Sequence, residues 1–144
     1  MCPQILIASP SKYRQEWYRT ELDNYGLQAL IVENGVECIS ALRTMPPPDA
    51  LILESSIRWG GIDNVLIAMD EHPQLRQIPV AIIAVDGVST EEYHLARFPI
   101  QVFFSRVPSA KDLATALVQS FRNANNYPID SMNQPNDFIV ASGE

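Results

Sequence analysis

Three observations in the sequence predict a doubly wound α/β fold, a five-stranded parallel sheet with helices on both faces. Five short aliphatic runs, at 4–8, 27–32, 50–53, 79–85 and 100–104, alternate with segments of helical periodicity. The runs are apolar at nearly every position, the composition of strands covered on both sides. The third run, Ala50-Leu51-Ile52-Leu53, delivers a single acid, Glu54, at its carboxyl end. That edge is where an open α/β sheet presents its functional groups. Right-handed crossovers leave a sheet sandwiched between helices as the compact arrangement for such alternation.

Each element has a local reason. Gln4–Ala8 is a strand that stops at Ser9-Pro10. From Ser11 to Asn24 the chain is polar, with Tyr13, Trp17 or Tyr18, and Leu22 near helical spacing, and Tyr25-Gly26 supplies a helix stop. Leu27–Val32 is the second strand. Asn34-Gly35 opens a helix whose Cys38, Ile39, Leu42 and Met45 recur every three or four residues until Pro46-Pro47-Pro48 ends it. Ala50–Leu53 is the third strand, Ile62–His72 a helix with Val65, Leu66 and Met69 inward, and Pro79–Val85 the fourth strand. Ser89-Thr90-Glu91-Glu92 has the form of a capping box and predicts a helix limited by Pro99 to about two turns. Ile100–Phe104 is the fifth strand, and Ser109-Ala110-Lys111-Asp112 starts a last helix carrying Leu113, Leu117 and Phe121 at i, i+4, i+8. Beyond Asn123 the composition turns to Asn, Pro, Ser and Asp without periodicity, so residues 1–123 are expected to form one domain and 124–144 a flexible tail. Within that tail Phe138-Ile139-Val140, flanked by Asp137 and Ser142, reads as incidental apolar residues of a disordered end, with docking as a short extended segment the alternative.

Composition narrows the function classes. A net charge of -7 and scattered Lys and Arg exclude a phosphate-binding stripe, so neither nucleic acid nor an anionic membrane is an expected partner. No apolar run approaches the roughly 20 residues that span a bilayer. Cys2 and Cys38 lack metal-ligand or CxxC spacing, and no basic segment precedes the first apolar run, so a reducing cytoplasm is the expected setting. His72 and His94 stand apart from other ligand-type residues, Cys38 falls on an apolar helix face, and Gly60-Gly61 has no following Lys-Ser/Thr. Each reads as structural or surface chemistry, and none suggests an enzyme. Ser55-Ser56 beside Glu54 fits a turn that could also hydrogen-bond the carboxylate or an anion.

The strand ends carry the remaining signal: Ser9-Pro10 after the first strand, Glu54 after the third, Ala84 after the fourth, and Arg106-Val107 after the fifth. With Tyr25-Gly26, Glu33-Asn34-Gly35 and the stretch from Leu75 to Val80, their layout resembles the response-regulator receiver domain of two-component signalling. The likeness extends from Gln4 to about Asn123. It implies the flavodoxin-like strand order 2-1-3-4-5. It also implies that these places would hold an acidic pair, a phosphoacceptor Asp, a Thr or Ser, and a Lys-Pro. Departures include Ile57-Arg58 where Met-Pro is common and a displaced Gly60-Gly61.

What the resemblance implies about chemistry is therefore a loss. An aspartyl phosphate forms when Mg²⁺ bridges the acceptor carboxylate and the incoming phosphoryl oxygens, and that ion needs hard oxygen ligands. Ser9 and Pro10 lack the two carboxylates, so Mg²⁺ binding is expected to be lost and no cofactor is expected. Glu54 carries its carboxylate one methylene farther than Asp, and in-line transfer is intolerant of misplacement of roughly 1 Å. Ala84 has no hydroxyl for a phosphoryl oxygen, and Phe103 stands where a switching aromatic usually sits.

The expected function is a degenerate pseudo-receiver: a non-enzymatic protein-interaction module that works without phosphate. Glu54 and Arg106 could form a standing ion pair; alternatively Glu54 faces solvent and Arg106 pairs with Asp86 or water. The resemblance points to a signalling partner or homodimer on the face of the helix after Ser89, the fifth strand and the last helix, with His94, Arg97, Gln101, Phe103 and Lys111. Two rivals remain: an atypical phosphoacceptor using Ser9, Ser55 or Ser56, and a small-ligand module in a crevice enlarged at Ser9 and Ala84.

Overall fold

A computed structural model of the chain describes residues 2–44, 46–57, 61–85, 100–126 and 139–141. In chain order the elements are β1 (Gln4–Ala8), α1 (Lys12–Asp23), β2 (Gln28–Val32), α2 (Gly35–Thr44), β3 (Ala50–Glu54), α3 (Gly61–Asp70), α4 (Pro73–Arg76), β4 (Val80–Ile83), β5 (Ile100–Phe104), α5 (Ala110–Asn126) and β6 (Ile139–Ala141). The strands make one sheet in the order β2-β1-β3-β4-β5-β6, and every neighbouring pair is parallel. Its first five strands have the expected 2-1-3-4-5 order.

Alternation along the strands divides the core into two layers. Leu6 and Ala8 of β1, Leu51 and Leu53 of β3, Ile82 of β4 and Phe103 of β5 pack with Cys38 and Leu42 of α2 and Val65, Leu66 and Met69 of α3. The intervening residues Ile5, Ile7, Ala50, Ile52, Ile83, Val102 and Phe104 pack with Tyr18 and Leu22 of α1 and Leu113, Ala114 and Leu117 of α5. Phe103 and Phe104 are thus both buried, one in each layer. A register shift at Val80/Ala81 places Val102 opposite Ala81, which brings β5 into phase with β4 on both faces.

Short polar residues start the helices. Ser11 Oγ accepts the Arg14 N–H at 3.2 Å, Asn34 Oδ1 the Glu37 N–H at 2.8 Å, and Ser109 Oγ the Asp112 N–H at 3.1 Å. Gly26, at φ 74°, takes the left-handed conformation that lets Leu27 N–H donate back to the Leu22 carbonyl at 2.9 Å and closes α1.

Several expectations need adjustment. Tyr13 is 82 % exposed, because the inward stripe of α1 runs through Gln15, Tyr18 and Leu22 instead. The segment expected to be helical to His72 ends at Asp70, and Pro73, a residue suited to a first helical turn, starts the separate α4. The last helix continues past Asn123 to Asn126. Residues 139–141, expected within a flexible tail, form β6, with Ile139, Val140 and Ala141 opposite Val102, Phe103 and Phe104. β5 is therefore flanked on both sides along that stretch. The helix expected after Ser89, with His94 and Arg97, lies outside the described residues, as do Asp86, Met45, Gly60 and Phe138.

Candidate functional site at the carboxyl end of the sheet

Alternation along β3 decides where Glu54 points. Ala50 and Ile52 face the α1/α5 layer, so Glu54, two residues on, faces it too. Along β1, Ile5 and Ile7 face the same layer, and Ser9 continues the series. Because Ala8 lies beside Leu53 in the register, Ser9 and Glu54 are neighbours at the edge of the sheet. The helix directly above this edge is α1, which leaves β1 through Pro10.

The Glu54 carboxylate is 0 % exposed, and among the described residues three side chains bind it. Ser9 Oγ donates to Oε1 at 2.9 Å. The Arg14 Nε–H points between the two oxygens, 3.0 Å from Oε1 and 2.9 Å from Oε2. Tyr18 OH donates to Oε2 at 2.5 Å. Arg14 and Tyr18 are four residues apart on α1, so both descend from one face of the helix onto the same acid.

Around this core lies a supporting set of bonds. Ser9 Oγ also accepts the Ser11 N–H at 3.4 Å, and Gln15, nearly buried, donates through Nε2 to the Ser9 carbonyl at 2.7 Å. The Trp17 ring meets Tyr18 edge to face, with centroids 5.2 Å apart. Burial pushes the Tyr18 phenol well above its ordinary value of 10.0; the Glu54 charge and hydrogen bond push the same way, and Arg14 opposes them. The phenol therefore stays protonated and serves as a donor. Arg14 keeps 27 % of its side-chain surface exposed, so one end of the ion pair reaches water while the other does not.

Arg14 is the residue that sequence reasoning missed at this site, and Tyr18 was seen only as part of an apolar stripe. The available signal was their i, i+4 spacing one turn after a strand end. Arg106, the cation expected at Glu54, is an exposed residue of the β5–α5 turn. Its strand lies two positions from β3, about 10 Å at the usual spacing. The guanidinium on the carboxylate is that of Arg14, which corrects the expected Glu54–Arg106 pair; the solvent-facing alternative for Glu54 falls with its burial.

Of the other predicted positions Ser9, Ala84 and Phe103 are buried, whereas Pro10 is exposed. Ala84 is 0 % exposed, and its N–H donates to the Phe104 carbonyl at 2.8 Å. Ser9 is equally buried, so neither residue enlarges the crevice. Ser55 Oγ accepts the Val85 N–H at 3.0 Å, tying the β3 and β4 ends together, whereas the buried Ser56 Oγ has no hydrogen-bond partner among the described residues. Cys38 lies in the α2/α3 layer, where burial raises its thiol from 9.0 to about 12. Among the described residues, no three His, Cys, Asp or Glu side chains come together in a way that could hold a metal ion, and no helix is long and apolar enough to cross a membrane.

No protein-family model matches the sequence, and neither does any curated protein. Solved structures do match. The signal receiver domain of a signal transduction histidine kinase from Syntrophus aciditrophicus superposes with a TM-score of 0.76 at 20 % identity, over 89 % of this chain and 96 % of that one. The receiver domain of a sensor histidine kinase from Pseudomonas aeruginosa, crystallised with magnesium in its active-site cleft, gives 0.75 at 11 % identity over 85 % and 99 %. The signal receiver domain of an HD-domain protein from Pseudomonas fluorescens gives 0.74 at 13 % identity over 87 % and 98 %. The chain has the fold of receiver domains.

Proposed function

We propose that this chain is a receiver-fold signalling module of the pseudo-receiver type, in which Glu54 accepts no phosphoryl group and output depends on contact with a protein partner. The observation that carries the reading is the complete engagement of Glu54, with both oxygens bound by Ser9, Arg14 and Tyr18 and no solvent exposure.

Phosphoryl transfer to a carboxylate requires an oxygen free to attack in line and room for the donor at that oxygen. Glu54 offers neither without breaking the ion pair. Mg²⁺, the ion expected for this fold, does not suit the groups present. Pro10 has no side-chain oxygen, the Ser9 hydroxyl is spent on Glu54, and the acid already faces a cation. Retaining an anion here without a reaction gives it an architectural task, which is to hold α1 on the β1–β3 edge. A signalling domain without this chemistry can still present surfaces to a partner, and a cytoplasmic setting suits the thiol chemistry of Cys2 and Cys38.

Intact-mass measurement after incubation with acetyl phosphate and Mg²⁺ tests this. The expected mass is unchanged. A chain that gains one phosphoryl group overturns the proposal, and mapping it to Glu54, Ser9, Ser55 or Ser56 identifies the atypical acceptor.

A further inference from the structure

We propose that the Arg14 guanidinium is a built-in replacement for a divalent cation, and that α1 as a whole plugs a set of oxygens that would otherwise form a cation site. The inference rests on the phosphate-independent reading of Glu54 and states what took the ion's place.

Four oxygens lie at the adjoining ends of β1 and β3: Ser9 Oγ, 2.9 Å from Glu54 Oε1, the Ser9 carbonyl, and Glu54 Oε1 and Oε2. All are hard donors of the kind that Mg²⁺ and Mn²⁺ prefer. Each is engaged by a donor from α1 or its cap. Arg14 bonds both carboxylate oxygens, Tyr18 bonds Oε2, Gln15 bonds the Ser9 carbonyl at 2.7 Å, and the Ser11 N–H lies 3.4 Å from Ser9 Oγ. A buried carboxylate demands compensating positive charge. Among the described residues, the positive group bonded to this one is a side chain carried on the same fold, positioned by a hydrogen-bonded helix start and needing no ion from solution. The partial exposure of Arg14 matters as well, since removing its side chain would open a path from solvent to the acid.

Removing the plug should therefore uncover metal binding, once a second carboxylate supplies the missing charge. The experiment compares wild type, Ser9→Asp, Arg14→Ala and the Ser9→Asp/Arg14→Ala double variant. Melting temperature is followed against MgCl₂ and MnCl₂, with NaCl at equal ionic strength as control. Wild type and Ser9→Asp are expected to show no metal-specific shift. The double variant is expected to gain a rise of several degrees that grows with metal concentration, as binding to the folded state alone requires. Should the double variant be unfolded without metal, recovery of its far-ultraviolet circular dichroism on adding Mn²⁺ is the equivalent result.

Two outcomes overturn the proposal. One is a double variant that neither shifts nor refolds with metal. The other is a Ser9→Asp single variant that responds as strongly with Arg14 still in place. Both are distinguishable from failure of the functional reading, which would appear as phosphoryl uptake by the wild-type chain.

Discussion

A carboxylate with no solvent exposure is tolerable only because its bonds replace hydration, so each partner of Glu54 has a definite energetic share. Arg14→Met would leave the acid buried and uncompensated. Loss of one member of a fully buried pair costs about 3–5 kcal/mol, and the partial exposure of Arg14 brings the expected loss to roughly 2–3 kcal/mol. Urea denaturation would measure it, and an unchanged midpoint would contradict the ion pair's structural importance. Tyr18→Phe removes one charge-assisted hydrogen bond and should cost about 1.5–3 kcal/mol. The same residue predicts a pH dependence. Its phenol titrates higher in the folded chain than its ordinary 10.0, so the unfolded chain releases the proton first. The stabilisation is complete below pH 10 and is lost as pH climbs toward the folded value. Cys38 adds the same sign between pH 9.0 and about 12. Melting temperature should therefore fall on the alkaline side, and Tyr18→Phe should flatten the part of the fall beyond pH 10 while leaving the earlier part.

Among the elements, α1 and β6 define what is particular to this chain. α1 is amphipathic in an unusual sense, since its inward stripe combines Gln15, Tyr18 and Leu22 with the Arg14 head group. Its upper turn serves the acid and its lower turn the hydrophobic layer. β6 completes a β5–α5–β6 unit and pairs with three residues of β5, covering an edge whose backbone groups would otherwise be left open. Truncation after Asn126 removes that cover. Amide hydrogens of residues 102–104 should then exchange faster by mass spectrometry, while those of β1 and β3, flanked by other strands, should be unaffected. Unchanged exchange in β5 would contradict the pairing.

At the scale of the whole molecule, the two-layer core explains why so much of the architecture was legible. Continuous apolar runs bounded by Ser-Pro, Asn-Gly and Pro-Pro-Pro report strands buried on both faces from local composition alone. Helix starts at Ser11, Asn34 and Ser109 were readable for the same reason, since a cap depends on residues within one turn. Errors arose where a contact joined distant segments. Forty residues separate Arg14 from Glu54, and nothing in the composition around either residue links the two. Nor could it decide that Ile139–Ala141 would find the β5 edge, because a three-residue apolar stretch becomes a strand only when an open ladder is available beside it.

The 2-1-3-4-5 order was implied by the resemblance to receiver domains; by itself, the sequence determined the alternation of strands and helices and the presence of one acid at the end of β3 without neighbouring acids. Those are consequences of burial periodicity and residue identity, which act over a few positions. Tertiary structure alone decided that this acid is sealed beneath α1, which cation neutralises it, and that a sixth strand closes the sheet. Pairing of charges and of strand edges depends on distance in space, and the packed helix and sheet set that distance.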